Sequence, residues 1–151
     1  MIFVSASLKQ AIAVSRDASD SESNYSLEVI PGTSIALYRW SGPITVADRR
    51  NVRGALIRFC RDNQIRNLIV DGREQQCEAD TTDVFRYGAE VPEHFRGLRI
   101  AVVHRPDDDS LPFIETVAYN RGSNTRSFLT VEEARAWLES FDDSEDTADN
   151  G

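Results

Sequence analysis

Asn67-Leu68-Ile69-Val70-Asp71 is a short apolar run closed by an acid and bounded by polar sequence on both sides. A run this short and continuous suits a central strand covered on both faces, as in a parallel sheet. On its N-terminal side, Thr45-x-x-Asp48 has the form of a capping box with Asp in place of Glu. Val52, Ala55, Leu56, Phe59 and Cys60 then recur at i, i+3, i+4, i+7 and i+8, which predicts an amphipathic helix over about 46–63. Further upstream, Tyr25 to Ile30 and Ser34 to Trp40 are β-rich runs joined by Pro31-Gly32-Thr33. Proline presets φ and glycine accepts φ > 0 there, so the two runs should pair as an antiparallel hairpin.

On the C-terminal side, a helix is expected from about Thr82 to Phe95, with Val84, Gly88, Val91 and Phe95 on one side and Pro92 interrupting its last turn. Leu98 to His104 reads as the next buried strand. Ser110 stands ready to cap a helix that has Pro112 in its first turn and Gly122 past its end. Arg126 to Leu129 is a fifth strand, and Thr130-x-x-Glu133 is a full capping box ahead of Ala134, Trp137, Leu138 and Phe141. The order ββαβαβαβα implies an α/β fold: a mixed, mostly parallel five-stranded sheet with helices packed against it through right-handed crossovers.

The chain has 151 residues and is 40% apolar, enough for one domain with its own core, and no apolar run is long enough to span a membrane. Its formal charge of −8 disfavours a phosphate backbone, so nucleic acid is not an expected partner. That charge is uneven. Residues 142–151 hold five acids and no base, and residues 1–24 hold two bases and three acids. This leaves 15 bases and 17 acids for residues 25–141, a net of −2. Residues 1–24 are therefore expected to be an N-terminal extension with a serine-rich linker from Ser15 to Asn24, 25–141 the folded domain, and 142–151 a disordered acidic tail. Up to Val14 the extension fits an edge strand or a short helix equally well. The first residues lack the basic start of a signal peptide, which, with only two cysteines, points to the cytoplasm.

The fingerprints of nucleotide, metal and hydrolase sites are missing from the sequence: G-x-G-x-x-G, Walker A, G-x-S-x-G, H-E-x-x-H and C-x-x-C. No cofactor, metal ligand set or assigned catalytic residue is expected. Cys60 falls on the apolar stripe of its helix, and Cys77 falls in a polar loop. His94 sits near a helix end, where it meets the negative end of the macrodipole. Asp71, Arg73, His104 and Arg105 fall at or just beyond the carboxyl ends of two adjacent strands, where open α/β sheets bind ligands. Such a rim could hold an anion or, through Asp71, His104 and Arg105, do acid/base work; a loop salt bridge is the plainer use. Arg49, Arg50, Arg53, Arg58 and Arg61 run nearly all round their helix, as a solvated face or a dock for an acidic partner.

The stretch Asp71 to Asp83 places Asp80, Thr81, Thr82 and Asp83 at the start of a helix. Asp80 or Thr81 suits the N-cap. A phosphate on Thr81 would meet the positive helix end, opposed by the two neighbouring carboxylates.

Taken in order, Ser41-Gly42, Ile65 to Asp71, Asp80-Thr81-Thr82, Phe113 to Gly122 and Phe128 to Leu138 resemble the STAS superfamily over roughly 25–141. The last two stretches are closer to its SpoIIAA-like branch. In the anti-sigma factor antagonists of that superfamily, the sequence Asp-Ser-Ser-Gly carries a serine that a partner kinase phosphorylates, and the dephospho form binds the kinase. Thr81 matches that serine, while both serines are threonine here and Asp83 replaces the glycine. The resemblance implies a non-enzymatic regulatory module with a protein partner, such as a kinase or anti-sigma-like regulator; separately, a monomer or a homodimer is expected. A small apolar or anionic ligand held between sheet and helices is the alternative.

Overall fold

Three of the five strands are reached by crossovers that all step the same way across the sheet, and this decides where the helices lie. The computed structural model describes residues 24–141. Most of the expected extension and all of the acidic tail lie outside these residues. The elements are β1 (Tyr25–Val29), β2 (Ile35–Ile44), α1 (Val46–Asp62), β3 (Asn67–Cys77), α2 (Thr81–His94), β4 (Arg99–Val103), α3 (Ser110–Asn120), β5 (Asn124–Phe128) and α4 (Val131–Glu139). The strands lie side by side in chain order, β1 antiparallel to β2 and every later pair parallel. Right-handed crossovers repeated in one direction put successive helices on one face. Accordingly α1, α2 and α3 pack against Tyr38, Leu68, Ile100 and Val102 in the larger core. On the other face Ile35, Leu37, Ile69, Ala101 and Val103 are covered by Ala134 and Leu138 of α4. Alternate residues of β4 and of the first halves of β2 and β3 feed these two cores, which is why Leu68 to Val70 and Ile100 to Val103 read as unbroken apolar runs.

Local chemistry sets the element ends. Gly32 adopts φ 78° in the hairpin turn, and the Thr33 hydroxyl donates to the Ile30 carbonyl at 2.8 Å. The expected capping box of α1 is present: Thr45 Oγ1 accepts the Asp48 amide at 3.0 Å, and Asp48 Oδ2 accepts the Thr45 amide at 2.9 Å. Thr130 caps α4 by accepting the Glu133 amide at 3.1 Å. At α3 the cap differs from expectation. Asp108, not Ser110, holds this helix start, its Oδ1 accepting the Ser110 amide at 2.8 Å and the Ser110 hydroxyl at 2.9 Å. A carboxylate two residues upstream forms an Asx turn and complements the positive helix end better than a hydroxyl can. Pro92 does not end α2, because the last turn closes one residue before it, with the Phe95 amide donating to the Val91 carbonyl at 2.9 Å.

The largest departure lies in β2 and β3. The first was expected to end at Trp40 and the second at Asp71, with Ser41-Gly42 closing the hairpin and Cys77 in a polar loop. Instead both continue, and after a register shift between Arg39 and Ser41 they pair from Ser41↔Glu74 to Ile44↔Cys77. Cys77 therefore ends a strand and is half-buried. Polar side chains suit this ribbon because it projects past β4, whose pairing with β3 stops at Asp71↔Val103.

Two packing details position the helices. A Cβ at Gly88 would stand 3.0 Å from Val117 Cβ and 3.1 Å from the Ile114 carbonyl oxygen, so α2 and α3 approach closely because residue 88 is glycine. Leu138 is fully buried and, with Ala134, anchors the sole helix on its face among the described residues. Leu138→Ala removes that anchor where no second helix can move in, and is expected to cost about 2–5 kcal/mol in chemical denaturation. A loss below about 1 kcal/mol would show that α4 is dispensable to the core.

Candidate functional site

Three groups of residues gather where function can lie: the start of α2, the rim where β3 runs on past the carboxyl end of β4, and a cavity between the sheet and α1 to α3. At the first, Asp80 is the N-cap, with extended backbone and Oδ1 accepting the Asp83 amide at 2.9 Å. Thr81 and Thr82 follow in the first turn with exposed side chains. Phe85, one turn on, is 41% exposed and lies 6.4 Å from the Phe113 ring. The four expected residues thus form one accessible patch with an aromatic edge.

The rim residues are near one another but turn to different partners. Asp71 is buried and receives Arg39 Nε at 3.0 Å and Arg73 Nη2 at 2.8 Å on the same oxygen. Burial pushes its carboxyl up, but the hydrogen bonds from Arg73 and Arg39 outweigh that and hold it below its usual value. Arg105 donates from one nitrogen to the carbonyls of Arg73 at 2.6 Å and Gln75 at 2.9 Å. Those carbonyls belong to the part of β3 that has outrun β4, so the guanidinium stands in for the missing strand. His104 Nδ1 lies 2.7 Å from the Arg105 carbonyl. Among the described hydrogen bonds none joins Asp71 to His104 or Arg105. His94, in the last turn of α2, is exposed.

The third group was not singled out in the sequence. Arg49 is 7% exposed, and its Nε and Nη2 are buried without a hydrogen-bond partner. It lines a cavity of about 60 Å³ together with Tyr38, Val52, Leu56, Tyr87 and Ile114. The signal was available: Arg49, Val52, Leu56 and Cys60 fall at helical spacing on one stripe, and all four are buried. Treating the arginines as one row concealed that Arg49 points inward. Cys60 lies below it, where burial pushes the thiol up to about 12 and leaves it an inert core group.

Next to the cavity, Glu90 of α2 clamps α1. It accepts from Arg50 Nη2 at 2.8 Å and from Arg53 Nη1 at 2.8 Å, and the Arg53 guanidinium lies 5.7 Å from the centre of the Tyr87 ring. The hydrogen bond from Arg50, against the opposing effect of burial and helped by Arg53, brings the Glu90 carboxyl down to about 2.

Two tests follow from this geometry. Arg105→Met should cost about 1–3 kcal/mol by leaving two strand carbonyls without their charged donor, measured by denaturant unfolding; an unchanged midpoint would assign that capping to solvent. For Glu90 the folded pKa lies below its ordinary 4.5, so the clamp's contribution is present above that pH and lost as pH falls towards 2. Glu90→Gln should therefore melt below wild type near neutral pH, the gap closing on acidification. A gap independent of pH would mean that shape and not charge joins the two helices.

No family model matches the sequence, and no curated protein matches it significantly. Solved structures do. An uncharacterised protein of the DUF3478 family from Shewanella loihica, with a SpoIIAA-like fold, is 14% identical with a TM-score of 0.51, the match covering 77% of this chain and 94% of that one. The anti-sigma factor antagonist SpoIIAA in its unphosphorylated form is 12% identical with a TM-score of 0.51, covering 76% and 97%. The chain has a SpoIIAA-like fold.

Proposed function

We propose that this chain is a regulatory module of the STAS type that acts by presenting the start of α2 to a protein partner, with Thr81 as its switch. The observation that carries this reading is the exposed first turn of α2, where Asp80 caps the helix and leaves both threonine side chains accessible. The similar structure named as an anti-sigma factor antagonist adds support, since the resemblance in sequence aligns Thr81 with the antagonists' phosphorylated serine.

The chemistry of the patch fits a switch. Phosphorylation brings nearly two negative charges to a surface that already carries Asp80 and Asp83. The helix end attracts that phosphate while the flanking carboxylates repel it, so the patch changes from mildly to strongly anionic without a change of fold. A partner matched to one state is rejected by the other through charge. Phe85 supplies the apolar contact that a purely ionic surface lacks.

Full-length protein incubated with an extract of its native organism and ATP labelled in the γ-phosphate should incorporate label at Thr81, and Thr81→Ala should lose it. An unlabelled wild type, or label that persists in Thr81→Ala, overturns the switch.

A further inference from the structure

We propose that the cavity between the sheet and α1 to α3 binds a small monocarboxylate with a short apolar tail, its head held by Arg49. This site is separate from the switch at Thr81 and stands whether or not that residue is modified.

A guanidinium has five donors and cannot shed its charge, so burial without partners leaves a full positive charge uncompensated. Arg49 approaches that position: two of its three guanidinium nitrogens, Nε and Nη2, are buried and unpartnered. Asp48, its neighbour in sequence, and Glu90, whose charge like that of Arg49 acts on the Tyr87 hydroxyl, are both already committed. Asp48 accepts the Thr45 amide in the capping box, and Glu90 accepts from Arg50 and Arg53. Tyr38 and Tyr87, which line the same cavity, do not supply a phenolate, because burial raises both hydroxyls above their ordinary range. The rest of the lining is almost wholly apolar, and Arg49 is its one charged side chain. The cavity therefore lacks one negative charge.

Charge and shape choose the occupant. One guanidinium balances a monoanion, and its flat fork of donors matches the two oxygens of a carboxylate. A phosphate dianion would leave a surplus negative charge among apolar side chains. The apolar walls require a hydrocarbon portion. A cavity of about 60 Å³ is smaller than the roughly 150 Å³ that holds benzene, so the tail is on the order of two to four carbons.

Titration of full-length, isotope-labelled protein with sodium butyrate, followed by NMR, should shift the Arg49 Nε–H resonance saturably. Butyramide, of the same size without charge, and inorganic phosphate should bind at least tenfold more weakly. Arg49→Met keeps the stem and removes the charge, and should abolish butyrate binding while melting no lower than wild type. Val52→Phe fills the cavity and leaves Arg49 in place; it too should block binding, which decides the matter if Arg49→Met fails to fold. The proposal is overturned if no linear carboxylate from acetate to hexanoate shifts that resonance. Butyramide or phosphate binding as well as butyrate would overturn it, as would a folded Arg49→Met or Val52→Phe variant that still binds butyrate.

Discussion

The parallel ladder between β2 and β3 is the constraint on which the rest of the structure depends. It runs from Ile35↔Asn67 to Ile44↔Cys77, well past the point where β3 loses β4 as a neighbour. Its first half carries side chains into both cores, Ala36, Tyr38 and Leu68 to one and Ile35, Leu37 and Ile69 to the other. Its second half delivers the chain directly to α1 and brings β3 within reach of the start of α2. An overhanging ribbon of this kind exposes backbone carbonyls on one edge, and Arg105 satisfies two of them. The rim arginine thus works as part of the sheet, and the start of α2 rests on the ribbon it secures.

Charge in this domain is organised by burial. Asp71 is buried between Arg39 and Arg73, and Glu90 is shared by Arg50 and Arg53, so in each case one acid answers two arginines. Ion pairs made with solvent-exposed arginines contribute little in water, and their value here is geometric: one ties β2 to β3 beside the register shift and the other joins two helices. Arg49 breaks the pattern, since it has burial without an acid. A buried cation with unpartnered Nε and Nη2 is costly to stability, and this one stands on the otherwise apolar stripe of α1.

Much of the fold was legible in the sequence because separate signals agreed. The period of the apolar residues, the Thr45 and Thr130 caps and the glycine turn at Gly32 all named the same element order. What could not be read was whatever tertiary partners decide. Gly72 to Gln76 looks like a loop because it is polar, yet β2 on one side and Arg105 on the other satisfy its backbone and make it a strand. Asp108 displaced Ser110 as the cap because the geometry of a turn, rather than residue preference, chose the acceptor. The start of α2 was found because capping chemistry is local. A pocket between sheet and helices was an expected alternative, but its lining, Arg49 above all, was not read, because those residues lie on separate elements and meet only in the folded chain.

The two candidate sites share α2, which raises the question of whether one disturbs the other. Its first turn carries Asp80 to Asp83, and its middle turns line the cavity through Tyr87 and Val91. On one side α2 is seated against α3 at Gly88, where even an added methyl group would meet the Ile114 backbone. On the other side a pair of partly exposed ion pairs through Glu90 joins it to α1. Close backbone packing resists displacement far more than exposed charge does. The contact between α2 and α3 is therefore the tighter of the two seams that flank α2. The cavity takes only Tyr87 and Val91 from α2 and none of Asp80 to Asp83, so the patch around Thr81 and the cavity beside Arg49 have no residue in common.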